Sequence, residues 1–324
     1  LSAIIDNLTA TIVLISLLQK LVKDREIRLW FAGLIVISAN AGGAFSPIGD
    51  VTTTMLWIAD KVTTTYLFGY LLLPSLACML VPTFLASKLS VFKGNLEVDD
   101  TEEDSPGRFS GTMLYLGLSA IVFVPIFKMV THLPPYVGMM LSLGVVAIFA
   151  EIYTSSKFSL EGLSKGGHSS PVHYSLTKIE LPSILFFLGI LMAVAALESL
   201  GILFGFADWL KVATPRIGTE VASAAVSDLV VLLLGVGSAV IDNVPLVAAS
   251  LGMFSESTDD ILWHFIAYSA GTGGSMLIIG SAAGVVAMGM ERINFFWYLK
   301  KISWLAFMGF ICGALVFLFT RTLF

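Results

Sequence analysis

Charge is what this sequence has least of. Asp, Glu, Lys and Arg make up 13% of its 324 residues, about half the roughly 25% of a soluble domain, and 56% are hydrophobic. That excludes a water-soluble globule and indicates an integral membrane protein. Net charge is only -5, with no basic pattern, so nucleic acid is not expected as a partner. Cysteine is nearly absent. Cys78 and Cys312 both lie in apolar spans, which argues for packing rather than a disulfide or a zinc pair. No cysteine–histidine cluster and no glycine-rich phosphate loop occurs, so neither an enzyme nor a resident cofactor is expected. The histidines, His132, His168, His173 and His264, fall in or near loops or span ends and read as surface residues.

Against that background the few acids inside apolar sequence stand out. Ser2-Ala3-Ile4-Ile5-Asp6-Asn7 returns late in the chain as Ser238-Ala239-Val240-Ile241-Asp242-Asn243. An acid at the bilayer centre costs roughly 2.5–3.5 kcal/mol on insertion scales, so each copy suggests function and two suggest a duplicated site. The repeat extends downstream. Asn40-Ala41-Gly42-Gly43-Ala44-Phe45-Ser46-Pro47-Ile48-Gly49-Asp50 sets Gly42 on Gly273, Gly43 on Gly274, Ile48 on Ile279 and Gly49 on Gly280, without a gap. In this register Asp50 matches Ser281.

The chain divides around these copies. Residues 1–92 read as the C-terminal part of a first repeat, with apolar segments 2–19, 29–59 and 66–90. Segment 2–19 reads as one arm of a hairpin whose partner lies upstream, and further N-terminal helices are expected because Leu1 is not an initiator Met. Residues 93–111 form an acidic linker. Residues 112–324 read as the second repeat: spans 112–131, 134–154 and 181–207, a polar loop at 155–180, a re-entrant hairpin over 219–254 whose arms join at Gly235-Val236-Gly237 and whose tip is Gly235 to Asn243, a broken helix over 262–291 and a last helix over 298–320. Lys20, Lys23, Arg25 and Arg28 set the cytoplasmic side, where most other Lys and Arg also fall. Lys61, Lys128, Lys211, Arg216 and Arg321 are left outside. This topology runs the two repeats in opposite senses, the architecture of secondary transporters. Asp228, Glu198 and Glu151 are further acids at membrane depth, without partners evident from sequence; Glu151 lies near an interface.

Pro47 removes a backbone donor and clashes with the preceding turn, so 42–49 cannot be regular helix throughout. Carbonyls freed at that depth face protein or a water-filled cavity. One glycine pair alone would read as close helix packing; two aligned breaks beside two Asp-Asn elements favour a site. Asn7 and Asn243 also fit simple helix caps. The motifs hold acids, amides and hydroxyls but no Lys or Arg, which suits a hard cation such as Na⁺ or Li⁺. Carboxylates buried close together are expected to have raised pKa values and to exchange protons for cations.

These motifs, Ser2 to Thr11, Asn40 to Thr53 and Ser238 to Val247, resemble those of NhaD-type sodium/proton antiporters of the ion transporter superfamily, over essentially the whole chain. The resemblance implies an all-α polytopic membrane protein of inverted repeats, each with a re-entrant hairpin and an unwound helix. It also implies a homodimer and exchange of Na⁺ or Li⁺ for H⁺, here expected in a bacterial inner membrane. By motif, Asp6, Asn7, Asn40, Asp50, Thr52 and Thr53 are the first-repeat ion and proton residues, with Asp6 and Asp50 on the cation. Ser238, Asp242, Asn243, Thr272 and Ser275 are their counterparts. Sodium-coupled dicarboxylate symporters and arsenite-type permeases of the superfamily share the architecture but typically carry Ser-Asn-Thr at the hairpins. An intramembrane aspartyl protease would need a Gly where Pro47 stands.

Overall fold

The structure, a computed structural model, describes residues 1–93, 110–131, 133, 135–160, scattered positions between 185 and 209, and 226–322. Among these residues the regular elements are helices and no strand occurs. Four of the helices are long and apolar enough to cross a bilayer. A helix satisfies its own backbone groups where water is absent, which is why such a composition folds this way. The chain is an all-α integral membrane protein.

The helices are α1 (Ser2–Ile5), α2 (Asn7–Leu21), α3 (Arg25–Ala44), α4 (Val51–Ile58), α5 (Thr64–Ser87), α6 (Ser110–Thr131) and α7 (Pro135–Leu160). After the less described stretch come α8 (Asp228–Ile241), α9 (Asn243–Met253), α10 (Ile261–Gly273), α11 (Ala282–Glu291), α12 (Phe295–Lys301) and α13 (Ser303–Thr320). They fall into two compact units: residues 102–189, and residues 1–101 with 190–324. In the smaller unit α6 and α7 pack together, with the Ser142 hydroxyl donating to the Ala120 carbonyl at 2.9 Å.

In the larger unit α3 and α10 are neighbours at the centre, α5 lies along α13, and α11 packs on α2 and α3. Aromatic rings fill its interior: Phe265 stacks on Phe317 at 4.7 Å, and the Tyr268 hydroxyl donates to the Phe310 carbonyl at 2.8 Å. With lipid as the surrounding solvent, such van der Waals fit and interhelical hydrogen bonds hold helices together, more than apolar burial does. Acidic caps start the key helices. Asp24 accepts from the Glu26 and Ile27 amides at the head of α3, and Asp260 from the Leu262 amide at the head of α10.

Several expectations need correcting. The late helical arm does not turn at Gly235-Val236-Gly237; α8 runs through these glycines and breaks at Asp242. Gly235 is there for contact, since a Cβ on it would come within 2.8 Å of the Ser269 carbonyl oxygen. Segment 2–19 is interrupted at Asp6, the residue expected at the tip of the first hairpin. The last span is not continuous over 298–320 but bends at Ile302, whose side chain packs against Gly33. Helix α7 runs on to Leu160, beyond the span end expected at 154. Asp228 is not unpartnered: it is buried in a two-pronged ion pair with Arg321, at 2.7 and 3.3 Å. His264 is not at the surface but fully buried, its ring tilted against Tyr70 at 4.8 Å, with Nε2 3.4 Å from Asp259 Oδ1. Glu151 is exposed on α7. The linker over 94–109, Glu198, His132, His168, His173 and most of 161–225 lie outside the described residues.

Candidate functional site

Four places where helices stop and restart converge within the larger unit. Asp6 separates α1 from α2 and Asp242 separates α8 from α9. Both take left-handed φ, 68° and 76°, with extended ψ, 162° and 148°. A non-glycine residue at positive φ is uncommon, though Asp and Asn tolerate it best because a short carboxylate or amide bonds locally. Here Asp6 accepts from the Thr9 amide at 2.6 Å and the Thr9 hydroxyl at 2.9 Å, and Asp242 from the Asn243 amide at 2.8 Å. The aspartates are thus the caps. This corrects the reading of Asn7 and Asn243 as caps, and it frees both amide side chains for tertiary contacts.

The other two breaks lie between α3 and α4 and between α10 and α11. In each, two glycines cross so closely that neither tolerates a side chain. A Cβ on Gly43 would strike the Gly49 carbonyl, and one on Gly274 the Gly280 carbonyl. After the crossing, Asp50 and Ser281 hold matching extended backbones (φ -147°, ψ 148°; φ -154°, ψ 152°) and cap α4 and α11. The arms that precede Asp6 and Asp242 dock alike: the Ser2 hydroxyl donates to the Ala39 carbonyl at 2.6 Å, and Ser238 to that of Ala270 at 3.1 Å.

Two buried networks result. In one, Asn243 Nδ2 donates to Asp50 Oδ2 at 3.1 Å while Asp50 Oδ1 accepts from the Thr52 amide at 3.3 Å. Thr52 is fully buried beside Asp50, and its hydroxyl oxygen accepts from no donor among the described residues. In the other, Asn7 Nδ2 donates to Asn40 Oδ1 at 3.1 Å, and Asn40 Nδ2 donates to Ser281 Oγ at 2.9 Å. Asp6 and Asp242, both half-buried, lie within electrostatic reach of Asp50. The structure thus brings Asp50, Thr52 and Asn243 together, and Asn7 with Asn40.

It places the remaining expected residues in the frame. The Thr53 hydroxyl donates to the carbonyls of Ser46 and Asp50, capturing acceptors that the break releases. Thr272 donates to the Tyr268 carbonyl and Ser275 to that of Thr272, both along their own segment. Two contributors went unassigned in the sequence. Ser281 receives Asn40, and Gly271 lies beside Asp50, where a Cβ would stand 3.7 Å from Oδ2. Both sit in the internal register, opposite Asp50 and Asn40, so that register was the signal for them. No Lys or Arg bonds to any of these polar groups, and no cluster of three His, Cys, Asp or Glu side chains suited to a metal occurs among the described residues.

Chemically, this is an oxygen- and amide-lined position with one deeply buried carboxylate, a build suited to a membrane transporter and a small cation. Residues 1–263 match the family model CitMHS, described as citrate transporter, and the chain belongs to this family of transporters. It is 44% identical to sodium/proton antiporter 1 of Arabidopsis thaliana, over 100% of this chain and 54% of that protein. It is 42% identical to sodium/proton antiporter 2 of the same plant, over 98% of this chain and 73% of the relative. It is 33% identical to the Na⁺/H⁺ antiporter NhaD of Vibrio parahaemolyticus, over 97% and 78%. The chain thus spans about half the length of the first of these relatives.

Proposed function

We propose that the chain forms the ion-translocating core of a secondary transporter that exchanges Na⁺ or Li⁺ for H⁺. The observation that carries this is the Asp50 carboxylate, 2% exposed at a helix break, held by Asn243 and set beside the buried Thr52 hydroxyl, whose oxygen accepts from no donor among the described residues. An uncompensated carboxylate at such a place costs several kcal/mol, so it holds either a proton or a cation. One occupant excludes the other, and that competition is the coupling. The names of the relatives favour the same reading.

In the full reading, residues 1–92 and 112–324 are inverted repeats joined by the 93–111 linker, and the Asp6 and Asp242 elements are re-entrant hairpins. Asp6 and Asp242 assist the site, with Ser238, Thr53, Thr272 and Ser275 shaping the breaks. The assembly is a homodimer working by alternating access. Its setting is a membrane with different Na⁺ and H⁺ levels on its two sides, a bacterial inner membrane or, in line with the plant relatives, a plant one. A sodium-coupled citrate or other anion symporter, which the family description suggests, would be expected to meet its substrate with positive charge, a bound cation or helix N-termini. Among the described residues the network has no positively charged side chain.

The test uses the full-length protein in liposomes with a pH-sensitive dye and an imposed pH gradient. Na⁺ or Li⁺ should collapse the gradient and K⁺ should not, and Asp50→Asn should abolish the response. Uptake of labelled citrate without cation-driven proton movement would replace this reading by the symporter.

A further inference from the structure

The two networks occupy matching positions but differ in what they leave open. At the first, Asp50 offers a carboxylate that accepts from the Thr52 and Asn243 N–H groups, and Thr52 adds a buried hydroxyl oxygen that accepts from no donor among the described residues. At the second, the acid is replaced by Ser281 and the Thr52 counterpart is Ala283, so neither the charge nor the spare hydroxyl exists. The Ser281 oxygen already accepts from Asn40 Nδ2 at 2.9 Å and from the Gly284 amide at 3.2 Å, which uses both of its lone pairs. The bridging Asn40 has a glycine, Gly271, as its counterpart, and there Asn243 meets Asp50 directly.

The geometry points to a single cation position per chain, at Asp50, Thr52 and Asn243, whose mirror position is closed by the chain's own hydrogen bonds, Asn7 to Asn40 to Ser281. A hard cation needs oxygen lone pairs and, in a low-dielectric surround, a compensating charge. The mirror position has a serine where Asp50 supplies its carboxylate, and that serine oxygen is saturated. Ser281 and Asn40 therefore set how many cations each chain carries, and with it the charge moved per turnover. This inference rests on the proposed cation site.

Equilibrium binding of radiolabelled Na⁺ to the purified full-length protein at alkaline pH tests it. One Na⁺ per chain is expected in the wild type, unchanged in Ser281→Ala and lost in Asp50→Asn. The triple variant Asn40→Gly/Ser281→Asp/Ala283→Thr copies the open position and should raise the count to two. Two Na⁺ on the wild type, falling to one in Ser281→Ala, overturns the closed mirror while leaving the cation site standing. No Na⁺ on the wild type overturns both. Should the triple variant not fold, the wild-type and Ser281→Ala counts still decide.

Discussion

The first and second breaks share a backbone and differ in chemistry. Both cross on a glycine pair, both receive a serine hydroxyl from a docked helical arm, and both restart a helix with an extended cap residue. Yet one cap is an aspartate reached by an asparagine, and the other a serine reached through a second asparagine. The backbone needs only close approach and capping, and Asp and Ser serve both equally. What the frame does not require is free to diverge, so the divergent residues mark where chemistry was gained or given up.

The largest effect should come from the caps themselves. Asp50→Asn keeps the shape and the cap but removes the charge, and proton-coupled cation flux in liposomes should vanish. Ser281→Ala should still exchange. Loss of flux in both would mean that the two positions work as one site.

Next comes the shared backbone. Gly43→Ala and Gly274→Ala should each destabilise by at least about 1–3 kcal/mol through overpacking, read as reduced yield and melting temperature of the purified protein. A tolerated alanine at either would show that the frames differ.

The asparagines should separate more finely. Asn243→Ala removes a bond to a carboxylate, worth about 1.5–3 kcal/mol, and should raise the half-saturating Na⁺ concentration by roughly 10–100-fold. Asn7→Ala removes a neutral bond of about 1 kcal/mol and should cost stability, with little change in Na⁺ dependence. Equal shifts in Na⁺ dependence would erase the distinction between the networks.

The smallest effect is at Gly271. A methyl there would sit 3.7 Å from Asp50 Oδ2 and 3.3 Å from the Ala44 methyl. Gly271→Ala should therefore weaken Na⁺ dependence by less than about tenfold, a cost near 1 kcal/mol. A complete loss would show that this opening is needed for more than room.

Much of this frame was legible beforehand. Apolar spans and their lengths are local, as is the Gly-Gly with Ser-Pro-Ile-Gly pattern that cannot stay helical, so the all-α membrane class and the downstream breaks could be located from residues alone. The Asp6 and Asp242 breaks were blurred. A positive φ at aspartate carries no signature in composition, whereas Gly235 and Gly237 advertise a turn they do not make. Asp228 looked unpartnered because Arg321 lies far along the chain, and His264 looked exposed because it stands near the start of its span, close to the polar residues before Ile261.

By itself, then, the sequence determined the class, the repeated motifs and the residue types available to a site, since these follow from hydropathy, spacing and the fixed preferences of proline and glycine. Only the tertiary structure decided which acid is met by which amide. Asn243 and Asp50, like Asn40 and Ser281, are distant in sequence, and their pairing depends on how the breaks face one another. Hydrogen bonds select partners by distance and angle within a packed interior, and no one-dimensional pattern carries that information.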